Sequence, residues 1–276
     1  MSAPVGVLIN GSARGPLSAA DRGLLYGDGL FETIAVSDGI PRLWQRHMDR
    51  LRAGCYRLGI AVPDPTTLWR EALALGEGSH RSVLRLTVTR GHGGRGYRPP
   101  EACEPSRILA LHPWPDHPRS YHTDGVAVRV CRTRLGLNPA LAGLKHLNRL
   151  EQVLARGEWG QTFQEGLMLD ASDRVVEATA SNLLVLRHGA LLTPLLDQAG
   201  VAGVMRGWLL ERARAAGWRV TEAHLTLDEV RDAEGLALSN AVIGVWPVGS
   251  LEGRERAVGP ALQQLVAWGE EAREAP

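Results

Sequence analysis

Lysine is nearly absent from this 276-residue chain: of 31 Lys and Arg residues, Lys145 alone is lysine. Arginine serves surface charges and ion pairs equally well, but a guanidinium cannot be deprotonated and cannot act as an amine nucleophile. Base composition of the gene accounts for the scarcity, and the surviving amine is a candidate for covalent chemistry. Cysteine is also scarce. Cys55, Cys103 and Cys131 are far apart, odd in number and without a His or Cys at metal-ligand spacing. That excludes a disulfide framework and suggests a reducing, cytoplasmic setting, with Cys55 as a core residue on a helix. Net charge is small, 31 basic against 30 acidic side chains. No global field therefore advertises nucleic acid or an anionic membrane, and an anionic ligand must be held locally. No uncharged run approaches the roughly 18 residues of a membrane span, and the N-terminal MSAPVGVLING lacks the order of a signal peptide. No metal-ligand cluster is visible and no G-x-S-x-G favours a serine hydrolase, so neither a metal nor that chemistry is expected.

Periodicity organises what is present. VGVLIN (5–10) ends in Asn-Gly and predicts a strand and turn, and Asp38-Gly39 within 30–44 predicts a hairpin. Trp44, His47, Met48, Leu51, Cys55 and Leu58 recur at helical intervals and predict an amphipathic helix stopped by Gly59. A second helix is expected from Pro65 to about Leu75, and strands over 82–90 and 107–112. The stretch 113–124 holds three prolines and little periodicity, which marks a linker. Beyond it come expected strands at 125–132, 166–170, 182–187, 218–223 and 235–240. Helices are expected from about Asn148 to Arg156, after Gly203, and over 260–272. The fold class is mixed α/β in two domains: a smaller one over 1–115, a linker at 116–124, and a larger one over 125–276 that carries Lys145. No internal repeat is visible.

A functional lysine needs partial desolvation or neighbouring cations, and the small, apolar LNPALAGL (137–144) precedes Lys145. Were that lysine to carry pyridoxal phosphate, the cofactor would also require a carboxylate for its ring nitrogen and an anion site for its phosphate. Glu177, after an apolar stretch and before a strand, stands at the expected edge of a sheet; a surface hairpin position is the alternative. QAGVAGVMRG (198–207) leads two glycines into a helix start with free N–H groups, or is a plain loop-to-helix junction. Arg50 is a second anion candidate, or a solvated helix charge. The Gly- and Arg-rich stretch 88–100 fits a dinucleotide fingerprint poorly, because no helix follows, and suits a mobile loop receiving a carboxylate. DRGLLYGDGLFET (21–33) suggests a tight turn near a site.

Five ordered segments, LSAADRGLLYGDGLFET, RHMDRL, LKHLNRLEQVLA, EATASNLLVL and GVMRGWLLERA, resemble the fold-type IV pyridoxal-phosphate enzymes over roughly residues 7–250. The resemblance implies a two-domain architecture like that of D-amino-acid aminotransferases, with the cofactor between the domains, usually in a homodimer. It implies that Lys145 binds the cofactor covalently and that Glu177 holds the pyridine nitrogen. Arg50 and the backbone of Val204 and Met205 would take the phosphate, and Ser181 and Asn182 would lie beside the ring. Ser239 and Asn240 fall where relatives carry hydroxyls that reach the phosphate, although Asn240 departs from that Thr-rich pattern.

Within the family, LNRLEQVLAR, RGHGGRGY and SNAVIGVWPV are most similar to the 4-amino-4-deoxychorismate lyases. That branch implies elimination of pyruvate from aminodeoxychorismate to give 4-aminobenzoate, a step of folate biosynthesis. Lys145 would move the proton, Arg95 and Tyr97 would bind substrate carboxylates, Phe31 would wall the pocket, and Thr33 would relay a proton. An aminotransferase for D- or branched-chain amino acids shares every cofactor residue and is the nearest alternative. A noncatalytic binding protein retaining the fold is the alternative of another class, and it has no use for both Lys145 and Glu177. A small-molecule substrate, no nucleic acid and no membrane complete the expected partners.

Overall fold

Alternating small, apolar and β-branched residues dominate the first 116 positions, and they pair there as an antiparallel sheet. The structure, a computed structural model, describes residues 3–94 and 96–274. The chain divides into two units. Unit 1 comprises Met1–Asp116, Leu144–Asn148 and Arg273–Pro276, and unit 2 comprises His117–Gly143 and Arg149–Ala272.

Unit 1 contains β1 (Gly6–Ile9), α1 (Arg22–Tyr26), β2 (Gly29–Ser37), β3 (Ile40–Pro41), α2 (Trp44–Leu58), α3 (Pro65–Gly76), β4 (Arg81–Thr89) and β5 (Ser106–Pro113). Its strands pair antiparallel in the order β1-β5-β4-β2-β3. One face of β2 sends Leu30, Ile34 and Val36 into the core beside Leu84, Leu86 and Leu109. Helix α2 turns His47, Met48, Leu51 and Cys55 inward. Gly54 permits the approach, since a Cβ there would stand 2.8 Å from a Leu30 methyl. Gly59 ends α2 in the left-handed conformation at φ 62°, as its position in the sequence predicts.

Unit 2 contains α4 (Ser120–Thr123), β6 (Val126–Val130), α5 (Leu150–Arg156), β7 (Glu165–Leu169), β8 (Arg174–Ala178), β9 (Asn182–Arg187), β10 (Ala190–Pro194), α6 (Val204–Ala215), β11 (Arg219–Ala223), β12 (Leu225–Thr226), α7 (Leu227–Arg231), β13 (Gly235–Asn240), β14 (Gly244–Leu251), β15 (Arg254–Glu255) and most of α8 (Pro260–Glu274). Its strands follow the order β11-β10-β9-β13-β14-β6-β7-β8-β12, with β15 against β14. The core beneath them gathers Val128, Leu167, Leu183, Leu236, Leu238 and Val248. Among the described residues, no helix is long and apolar enough to cross a membrane.

The division departs from the expected 1–115, 116–124 and 125–276 in three respects, the first being that the stretch from Arg273 groups with unit 1. The supposed linker contains α4. The lysine segment groups with unit 1, because its backbone pairs with β2: Phe31 N donates to Lys145 O at 3.0 Å and Leu147 N to Gly29 O at 3.0 Å. Strands β8, β10 and β14 were not anticipated, and β14 carries Pro247, buried and paired opposite Ala237 of β13.

Candidate active site

In unit 1, alternation along β2 separates two sets of functional side chains. Phe31 and Thr33 share one face, and across the ladder Arg85 stands opposite Thr33. Lys145 Nζ lies 4.4 Å from the centroid of the Phe31 ring, and the Arg85 guanidinium lies 4.1 Å from the same centroid. Both cations thus lie against the Phe31 ring, and the lysine is half-buried there. Thr33 is half-buried on this face. Arg85 was missed by sequence reasoning. It has no hydrogen-bond or ion-pair partner among the described residues, and burial lowers its pKa, so it is an anion receptor in waiting. The alternation of 82–90 was the available signal, since it puts Arg85 on the polar face of its strand.

Glu32 points to the other face, toward α2. Its carboxylate accepts from Arg50 Nε at 2.9 Å and also from Arg50 Nη2, and lies 2.6 Å from His47 Nδ1. Arg50 is therefore not a solvated helix charge: its fork is docked on a carboxylate that is 1% exposed.

The loop proposed to bind carboxylates is tied down at several points. Arg22 donates to the carbonyls of Gly96 at 2.9 Å and Tyr97 at 3.0 Å, and its Nε donates to Asp28 at 2.9 Å. Arg90 binds Asp28 and the Leu58 and Gly59 carbonyls, so this arginine of the loop is structural. Tyr97 is 85% exposed with its ring against Tyr26. Arg95 lies outside the described residues. DRGLLYGDG forms a one-turn helix, α1, capped by Asp21, whose Oδ1 accepts from Gly23 N at 2.8 Å.

In unit 2, Glu177 is buried on β8, opposite Met168 of β7, while β12 pairs with β8 at Val175 and Arg174; it is not a surface hairpin charge. Val201 N donates to Glu177 Oε2 at 2.8 Å, and Asn182 Nδ2 donates to Val201 O at 2.8 Å. The two side chains hold the segment that enters α6. Gly200 adopts φ 86°, and a Cβ on Gly203 would stand 1.9 Å from Asn182 Oδ1. Both glycines are demanded by this closeness. Helix α6 starts after Gly203 with no side-chain cap, so no capping side chain takes the N–H groups that open the helix at Val204 and Met205.

Ser239 is fully buried on β13, opposite Asn182 of β9, and its Oγ has no hydrogen-bond partner among the described residues. Asn240 has a different task from the expected phosphate contact. Its Oδ1 accepts from Val242 N and Ile243 N, both at 2.9 Å, and its Nδ2 donates to Ala180 O and Ser181 Oγ. That closes a turn, for which a short amide is well suited. Glu165, also missed, accepts from Thr179 Oγ1, Ala180 N and Ser181 Oγ, and pins the 179–181 turn; burial raises its pKa against those donors. Ser181 is accordingly held in that turn.

The donor sets fit pyridoxal phosphate. Unit 1 supplies an amine on an aromatic ring, and unit 2 supplies a buried, oriented carboxylate, an uncapped helix N-terminus and an orphaned buried hydroxyl.

The sequence matches the Amino-transferase class IV family over residues 29–251. The chain belongs to the class IV aminotransferase family. Among family members, the aminodeoxychorismate lyase of Vibrio harveyi is 36% identical over 259 residues, covering 94% of this chain and 96% of that protein. The crystal structure of 4-amino-4-deoxychorismate lyase from Pseudomonas aeruginosa superposes with a TM-score of 0.91 at 46% identity, covering 97% of this chain and 98% of that one. A putative branched-chain-amino-acid aminotransferase of Methanocaldococcus jannaschii is 31% identical over 244 residues, 86% of this chain and 83% of that protein. The mixed α/β, two-unit fold is that of the family.

Proposed function

We propose that this class IV enzyme is a pyridoxal-phosphate-dependent lyase that eliminates pyruvate from 4-amino-4-deoxychorismate and leaves 4-aminobenzoate, a step toward folate. The observation that carries the reading is the placement of the sole lysine amine on the Phe31 ring, in a chain matched along nearly its whole length by aminodeoxychorismate lyases. The bound cofactor supplies an electron-withdrawing ring that makes the proton beside the substrate's amine acidic. Lys145 holds the cofactor and, once released, takes the proton from C4 of the substrate. Glu177, fixed by Val201 N, keeps a proton on the ring nitrogen. Arg50, the N–H groups of Val204 and Met205, and Ser239 receive the phosphate. Asn182 holds the loop that leads to those N–H groups.

The C3–O bond then breaks with its electron pair on oxygen. The departing enolpyruvate gains a proton at its terminal carbon, and Thr33, on the Phe31 face of β2, would relay it. The ring aromatises, and this supplies much of the driving force, so the residues chiefly position a proton transfer. Arg85 takes a substrate carboxylate beside Phe31; Arg95 and Tyr97 remain the loop's contributors to the same task.

In finer terms the protein is a cytoplasmic homodimer. Leu150, Val153 and Leu154 form an exposed apolar stripe on α5 at helical spacing, with exposed Leu137 also in unit 2, which supports a face covered by a second copy.

Purified protein supplied with pyridoxal phosphate and aminodeoxychorismate is expected to release pyruvate and 4-aminobenzoate in equal amounts, and the Lys145→Ala variant neither. Bound cofactor without product, together with conversion of the cofactor spectrum by amino acids, overturns the lyase in favour of an aminotransferase.

A further inference from the structure

Glu32 is an expensive residue where it stands. It is 1% exposed in the middle of β2, on the face that otherwise carries Leu30 and Ile34, and His47 beside it is 0% exposed. A buried ion pair is weak evidence for stability, since an apolar pair of similar volume serves a core at least as well. The geometry shows what is gained instead. Oε1 takes Arg50 Nε, and Oε2 takes Arg50 Nη2, so one edge of the guanidinium is clamped in its own plane. His47 Nδ1 reaches Oε2 from a different turn of α2 at 2.6 Å, and His47 Nε2 has no partner among the described residues. Burial lowers the pKa of His47 against the pull of Glu32, which leaves the ring neutral, donating from Nδ1 and braced rather than charged.

We propose that Glu32 is the positioning residue that aims the Arg50 guanidinium at the cofactor phosphate, with His47 bracing the carboxylate. This rests on the reading that Arg50 is a phosphate ligand. An arginine on a helix surface samples many rotamers, and each must be given up when an anion binds; a clamped fork has given them up already. The clamp has a cost, because a carboxylate behind the guanidinium repels a phosphate dianion. The arrangement makes sense where direction is worth more than charge. Glu32 faces away from Phe31 and Thr33, so it acts through Arg50 and not on the reacting atoms.

The test compares pyridoxal phosphate with pyridoxal, which lacks the phosphate, as ligands of the cofactor-free protein, with inorganic phosphate as competitor and the ³¹P resonance of the bound cofactor as a second readout. Glu32→Gln is expected to reduce the preference for pyridoxal phosphate over pyridoxal by roughly 10-fold or more, with pyridoxal affinity held within about twofold, and to shift the ³¹P resonance. In an Arg50→Lys background the same substitution is expected to change the preference no further. Equal losses for both ligands mean a merely structural role and overturn the proposal. Tighter phosphate binding overturns it too, because charge then outweighs direction. Should Glu32→Gln fail to fold, Glu32→Asp keeps the charge but shortens the reach, and the same phosphate-specific loss is expected; its absence overturns the proposal. If Arg50→Lys alone leaves the preference intact, the phosphate role of Arg50 falls first, and the proposal falls with it.

Discussion

Replacing Gly203 with alanine tests how tightly the entry to α6 is built. The backbone at Gly203, φ −65° and ψ 136°, suits any residue, so the substitution acts through space rather than through strain. The added Cβ would stand 1.9 Å from Asn182 Oδ1, inside any allowed contact. Asn182 must swing away, and with it goes the 2.8 Å hydrogen bond from Nδ2 to Val201 O. Leaving that carbonyl unmatched costs about 1–3 kcal/mol. An off-rotamer Asn adds about 0.5–1.5 kcal/mol. The expected loss of stability is therefore about 1.5–4.5 kcal/mol, read as a fall in the urea midpoint of the cofactor-free protein. A double-mutant cycle isolates the cause. With Asn182 already cut back to alanine, Gly203→Ala has nothing to collide with, and it should cost about 0.5–1 kcal/mol, the ordinary difference between Gly and Ala at a helix N-cap. A Gly203→Ala cost below about 0.5 kcal/mol, or equal costs in both backgrounds, refutes the reasoning.

Acid stability carries the signature of Glu32. Burial works to raise its carboxyl, but Arg50 and His47 outweigh burial and hold it at about 2. A carboxyl depressed in the folded state stabilises above its unfolded pKa, near 4.3, and that contribution is lost as pH falls toward 2; it is worth about 3 kcal/mol in order of magnitude. Unfolding measured from pH 5 to pH 2 should fall less steeply for Glu32→Gln than for the parent, and parallel curves contradict the assignment. Thiol chemistry offers a third check: burial pushes Cys55 up to about 11 and Cys131 to about 12. Both should stay silent to a disulfide reagent at pH 8 in the native protein and react after denaturation, and native labelling of either argues against its burial. Leu154→Glu, placed in the exposed stripe of α5, should leave the fold intact and shift sedimentation from dimer to monomer; an unchanged dimer puts the contact elsewhere.

Elements with strong periodicity were legible in the sequence, and those defined by their surroundings were not. Helix α2 announces itself through Trp44 to Leu58 and its Gly59 stop, and the paired glycines ahead of Val204 announce a close turn into α6. Strand β14 hides because Pro247 is an unfavourable sign in a strand, yet it stands in a paired ladder opposite Ala237. Strand β8 is short and begins and nearly ends on charged residues, so its pairing with β7 and the burial of Glu177 do not show in the sequence. Lys145 stood out as a lone residue type. Arg85 could not, because it is one arginine among many, and what distinguishes it is an unmatched charge that exists only after β2 and β4 pair. Glu165 and Glu32 were invisible for the same reason: their donors come from Thr179, Ser181, His47 and Arg50, at distances in sequence that no pattern encodes.

The backbone pairing of Lys145 with β2 bears on the order in which the protein can be made. Unit 1 is not a contiguous stretch: after Asp116 the chain leaves it, comes back for Leu144–Asn148, and comes back again at its C-terminal end. Lys145 therefore reaches its sheet only after residue 148 has emerged, and Glu274, whose carbonyl accepts from Arg42 Nη1 at 2.9 Å, arrives later still. A chain stopped at Asp116 contains Phe31, Thr33 and Arg85 but neither Lys145 nor the backbone that pairs with β2 beside them. For the same reason, splitting the gene at the proline-rich stretch yields no self-sufficient first half, and the natural place to divide this protein is not where its sequence looks most like a hinge.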